Sequence, residues 1–127
     1  MKIHEAAAAA GLSVKQIRDY EKAGLLPATQ RDGNNYRHYD ADAVARLRFI
    51  QHARAVGFSL RQIGTLLRLQ DDPNRSSAEV KALTGQHIAA LEAQIATLTA
   101  MVARLQRWHD HCSGDGAGPC AILDGLS

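Results

Sequence analysis

The chain is poor in cysteine: among 127 residues only Cys112 and Cys120 carry thiols. Two thiols are too few for a [2Fe-2S] cluster, which normally draws four protein ligands. No Cys-x-x-Cys pair on a βαβ pattern is present, and this argues against a thiol–disulfide enzyme. There is no internal repeat, no apolar stretch of signal-peptide length before Gly11, and no segment approaching about 18 consecutive apolar residues. The sequence therefore predicts a chain that is neither exported nor membrane-spanning, and so cytoplasmic. At this size, with 46% hydrophobic residues, it can bury one modest core or join one small domain to an extended oligomerisation element.

The two thiols flank Ser113-Gly114-Asp115-Gly116-Ala117-Gly118-Pro119, a segment with almost no side-chain bulk. Three glycines let it curl tightly, so that two thiolates can face each other across a small ion. Two sulfur ligands suit a soft monovalent cation such as Cu(I), whereas a structural zinc site wants four ligands. A disulfide or two unrelated cysteines are the plainer alternatives, and a reducing cytosol lowers the first. His109 and His111 flank the loop and are either added nitrogen ligands or a solvated helix end.

Charge is distributed unevenly. Residues 1–75 carry 12 Lys/Arg against 8 Asp/Glu, an excess of +4, and residues 76–127 carry 3 against 5, a balance of −2. The first part is the candidate for nucleic acid. Ser13-Val14-Lys15-Gln16, Ser59-Leu60-Arg61-Gln62 and Ser76-Ser77-Ala78-Glu79 read as capping boxes, marking three helix starts. Gly11, Gly24 and Gly57 mark helix ends. The predicted elements are helices at 3–10, 14–23, 41–56, 60–70 and 77–110, with an extended pair around 30–39.

The first two helices, joined at Gly11-Leu12, have the short turn of a helix-turn-helix, or of an ordinary αα-hairpin. As a helix-turn-helix, the second helix offers Lys15, Arg18 and Tyr20 to DNA. Asp32 to Asn35 read as a hairpin tip, and Tyr36 and Arg37 just after it point at a backbone, as a wing would. Tyr39 is expected to pack against the helix that follows. In the last helix Ile88, Leu91, Ile95, Leu98, Val102 and Leu105 recur at alternating spacings of three and four, with β-branched residues at every a position and leucine at every d. About 34 helical residues span about 51 Å, too long for a domain of this size to cover, so the helix is expected to pair with its copy in a homodimer. His109 and Cys112 continue the same a/d series.

Ile17-Arg18-Asp19-Tyr20-Glu21-Lys22-Ala23-Gly24-Leu25-Leu26, the Tyr36-Arg37-His38-Tyr39 segment, Val56-Gly57-Phe58-Ser59-Leu60 and the long helix together resemble the MerR family of transcription regulators, over the whole chain. The resemblance implies a mainly α protein: a winged helix-turn-helix DNA-binding domain with connecting helices (1–75), a dimerisation helix forming an antiparallel coiled coil (76–111), and a metal-binding loop and tail (112–127). It implies a DNA-binding residue set of Lys15, Arg18, Tyr20, Arg31, Tyr36 and Arg37.

Cys112 and Cys120, with Ser77 opening the long helix, are similar to the CueR-like, copper(I)-responsive branch. Divalent-sensing members carry cysteine in place of Ser77. The implied effector is Cu(I), or Ag(I) or Au(I), with Lys81 near the residual thiolate charge. The implied partners are double-stranded promoter DNA, a second copy of the chain and RNA polymerase holoenzyme, with no membrane and no enzymatic activity. The resemblance also implies activation by distortion of the promoter. A divalent-metal sensor of the same family and a thiol-redox-responsive DNA-binding protein are the alternatives, while a small-molecule sensor would carry a larger effector domain. One departure is Asn35, where the family usually has glycine before the wing tyrosine; asparagine tolerates the left-handed turn.

Overall fold

The computed structural model describes residues 1–27, 38–112, 114, 116, 118 and 120–127. Six helices follow in order: α1 (Ile3–Ala10), α2 (Val14–Lys22), α3 (Ala41–Ala55), α4 (Leu60–Asp71), α5 (Ser77–His111) and α6 (Ala121–Leu126). No strand occurs among the described residues. The expected hairpin and wing, with Arg31, Tyr36 and Arg37, fall outside them. Two compact units are formed, Met1–Val80 and Lys81–Ser127.

Local chemistry explains the helix starts. Ser13 Oγ accepts the amide of Gln16 at 3.0 Å, and Gln16 Oε1 accepts the amide of Ser13 at 2.9 Å. Ser59 and Gln62 repeat this reciprocal pair at 3.2 and 2.8 Å. Asp40 caps α3 by accepting from the Ala43 amide at 2.8 Å, and Ser76 Oγ takes the Ala78 amide at 3.2 Å before α5. Each cap satisfies an amide that the helix leaves without an internal partner.

The first three helices end alike. Gly11, Gly24 and Gly57 have φ of 71, 76 and 91°, a region that costs other residues steric strain. Each turn lets the following residue donate back to a carbonyl five positions earlier: Leu12 to Ala7, Leu25 to Tyr20 and Phe58 to Ala53, at 2.9 to 3.1 Å. The apolar residue after each glycine is thereby thrown onto the core, as in the Schellman motif. Leu25 and Phe58 are buried, and Leu12 packs at the core's edge.

That core belongs to the first unit. Ile17, Tyr39, Leu47, Ile50 and Ile63 are fully buried, joined by Ala6, Ala7 and Ala10 of α1. The alanine run lets α1 approach α3 closely. Tyr39 packs as expected, and its hydroxyl donates to Glu21 of α2. Tyr20, expected among the DNA-binding residues, is only 5% exposed, because it lies three residues after Ile17 on the inward stripe of α2, and its ring packs into this core.

The second unit has a different character. No residue of α5 is buried, and Ile88, Ile95, Leu98, Val102 and Leu105 are 51 to 62% exposed. The tail after Cys120, for which no helix was expected, forms α6. Its six residues are too few to show a helical period, and this is why the pattern of the sequence misses it.

Candidate metal centre and DNA-facing surface

Cys112 follows directly on the last turn of α5, its amide donating to His109 O at 3.2 Å. Cys120 is the residue just before α6. Gly114, Gly116 and Gly118, all at positive φ, belong to the connection between them. The result brings the two sulfurs to 3.6 Å, both half-buried and neither in a disulfide. The Cys120 thiol is held below its ordinary range, chiefly by the backbone amide of Leu123 and then by the Cys112 thiol. The Ile122 amide adds to this; burial and the charge of Asp124 oppose it. Amides at the start of a helix favour a thiolate because they point their hydrogens at it.

No group of three or more His, Cys, Asp or Glu converges among the described residues. The flanking histidines are engaged elsewhere through Nδ1. His111 Nδ1 donates to Arg107 O at 2.6 Å, and His109 Nδ1 lies 3.3 Å from Asp110 Oδ1, with its side chain 77% exposed. The donor set among the described residues is therefore two soft thiolates and nothing harder, which fits a soft ion of low coordination number. At about 2.3 Å per metal–sulfur bond, two bonds spanning the 3.6 Å gap enclose roughly 100°; a collinear ion needs sulfurs about 4.6 Å apart. Binding in a line thus requires the thiols to separate by about 1 Å.

Ser77 and Lys81 are exposed on the first turns of α5. Lys81 stands about 45 Å along the helix from its C-terminal end, at 1.5 Å per residue. It does not meet the thiols of its own chain.

On α2, Lys15 and Arg18 are exposed, and Lys15 is 3.8 Å from Asp19 in a solvent-facing ion pair. Lys22, exposed four residues after Arg18, completes a basic face that the sequence reading does not single out. Its signal is the three-then-four spacing from Lys15. Tyr20 backs this face from inside.

Two family models match the chain: "MerR HTH family regulatory protein" over residues 1–70 and "MerR, DNA binding" over residues 44–108. The chain belongs to the MerR family. This MerR-family chain is 55% identical over its full length to a "Probable heavy metal-dependent transcriptional regulator" of Haemophilus influenzae, covering 99% of that protein. It is 39% identical over its full length to the "HTH-type transcriptional regulator CueR" of Salmonella typhi, covering 92% of it. Among solved structures, the transcription regulator PbrR691 from Ralstonia metallidurans CH34 in complex with lead(II) superposes with a TM-score of 0.88, at 35% identity, over 100% of this chain and 99% of that one. The MerR-family chain is thus a DNA-binding transcription regulator, and not an enzyme.

Proposed function

We propose that the protein is a cytoplasmic, homodimeric regulator that activates transcription on binding one monovalent soft ion, Cu(I) or its congeners Ag(I) and Au(I), at Cys112 and Cys120. The observation that carries this is the pair of free thiols 3.6 Å apart, with no third ligand drawn to them among the described residues. Two thiolates and one M⁺ leave a single negative charge, which the Leu123 and Ile122 amides offset. Ser77, in the place of a third thiolate, withholds the ligand that a divalent ion would use.

Residues 1–75 bind DNA, 76–111 dimerise and 112–127 bind metal. The exposed apolar ladder of α5 supports an antiparallel pairing with a second copy. That arrangement brings the partner copy's first turns of α5, with its serine and lysine, beside the thiols, where one chain's own Lys81 cannot reach. Lys15 and Arg18, with Arg31, Tyr36 and Arg37 of the wing, hold the promoter backbone. Metal binding then distorts DNA between the promoter elements so that RNA polymerase holoenzyme engages both. Bending a site of about 20 to 30 base pairs costs about 1 to 6 kcal/mol, and the metal must favour the activating conformer by its own differential affinity.

A divalent sensor is the second reading. It is favoured by the roughly 100° that the present gap would subtend at a metal with bonds of about 2.3 Å, and by the lead(II) in the PbrR691 structure. X-ray absorption at the metal of the reduced, Cu(I)-loaded dimer tests both. Two sulfur neighbours support the monovalent site. Three or four neighbours, or nitrogen among them, overturn it and bring His109 or His111 into the site.

A further inference from the structure

Cys120 is the residue directly before α6, so the position of that short helix decides where its sulfur stands relative to Cys112. One contact on α6 has no tolerance for added atoms. Gly125 lies so close to the indole of Trp108 on α5 that a Cβ built on it would fall 2.4 Å from Cε2 and Nε1 and 2.8 Å from Cδ2. Three ring atoms at such distances mean that the Gly125 backbone rests directly against the five-membered ring. Trp108 is the only tryptophan in the chain. Its ring is steadied from its own helix by Arg104, whose guanidinium carbon is 5.4 Å from the ring centroid one turn earlier. It also stands one turn before Cys112. The indole therefore touches α6 from the same stretch of α5 that presents the other thiol.

We infer that Trp108 is a positioning residue for the thiol pair, holding Cys120 opposite Cys112 by packing against Gly125. Glycine is the poorest ordinary helix former, and alanine at position 125 would by propensity alone favour α6. Its presence in a six-residue helix is explained by the ring it must admit. Leu123 and Leu126 are 67% and 66% exposed, so they do not anchor α6 within this unit. The inference rests on the thiol pair being the metal centre only for its consequence on affinity; the thiol geometry stands independently.

Two readouts separate the inference from that reading. The first uses the reduced full-length protein without metal and a short bis-alkylating reagent that fluoresces only once both arms have reacted, so its bridging rate reports thiol proximity. Gly125→Ala should slow bridging about tenfold, within what a methyl forced into a packed contact costs. Trp108→Ala should slow it as well, and Gly125→Ala added to Trp108→Ala should have no further effect, because the clash is gone. Circular dichroism showing an intact α5 assures that the variants are folded. Bridging of Gly125→Ala at the wild-type rate, or an equal slowing by it in the Trp108→Ala background, overturns the inference. The second readout is competitive titration with Ag(I) alone, where affinity should fall in step with bridging. An unchanged Ag(I) affinity in a Gly125→Ala protein that bridges slowly refutes the positioning of metal ligands. A wild type that bridges readily but takes no Ag(I) refutes the metal reading and leaves Trp108 as the device that pairs the thiols.

Discussion

Arg46 grips Asp71 with both terminal guanidinium nitrogens, at 3.2 and 2.9 Å, and thereby ties the middle of α3 to the end of α4. Its Nε donates in addition to Leu25 O at 3.0 Å, so one side chain links the turn after α2, α3 and α4. The fork geometry of arginine makes such a three-way link possible; lysine lacks it. Asp71 is consequently held below the ordinary carboxylate range, first by the Arg46 hydrogen bond, with desolvation opposing and the arginine charge assisting.

A carboxyl with a lowered folded-state pKa stabilises the fold above its unfolded value, and that contribution is lost as pH falls through the folded one. Asp71→Asn should therefore lower the melting temperature at neutral pH. The gap to wild type should close as pH drops below about 4, the ordinary aspartate value. Thermal unfolding of both proteins across that range checks the expectation, and a gap independent of pH contradicts it.

Arg18 and Lys22 share the outward face of α2 with Lys15. Alanine at either should weaken operator binding and lower the slope of log affinity against log salt by about 1 for each phosphate that is no longer neutralised. Anisotropy titrations at several salt concentrations measure both quantities. Unchanged affinity and slope in Arg18→Ala would remove α2 as the recognition helix.

The apolar ladder of α5 should be covered in solution. Leu98→Ala and Ile95→Ala should each weaken the dimer by about 2 to 5 kcal/mol if the seam is well packed. Sedimentation equilibrium of the reduced, metal-free protein reads the dissociation constant. A monomeric wild type at micromolar concentration would contradict the pairing. By length and composition α5 is also apolar enough to cross a membrane. Glu92, Gln94 and Arg104 interrupt it, however, and its large apolar residues keep to one stripe, as a coiled-coil seam requires and a lipid-facing helix does not.

Cys112→Ser and Cys120→Ser should abolish metal-dependent transcription while leaving operator affinity within about twofold, since removing a sulfur leaves the residues that hold phosphate untouched. Ser77→Cys should extend the response to Zn(II) or Hg(II) by supplying the third thiolate. A reporter assay with each metal tests both. Activation of the wild type by Zn(II) as well as Cu(I) would show that Ser77 is not the determinant.

The sequence by itself determined what depends on near neighbours along the chain. Ser13 and Ser59 cap helices because their partners are three residues away, and Gly11, Gly24 and Gly57 end them because a left-handed turn is a property of one residue. The three-four ladder of α5 and the short, bulk-free span between Cys112 and Cys120 were legible for the same reason, as was the family. Tertiary structure decided what depends on distant chain. Tyr20 and Arg18 sit two positions apart on one helix, and only the packing of α2 on its neighbours makes the first a core residue and the second a surface cation. Arg46 meets Asp71 across 25 residues and Leu25 across 21, and no periodicity announces either. Helix α6 is too short to be stable from propensity alone. In it Gly125 lies against Trp108, and that contact, made by a residue with no side chain, is invisible until the two helices are placed together.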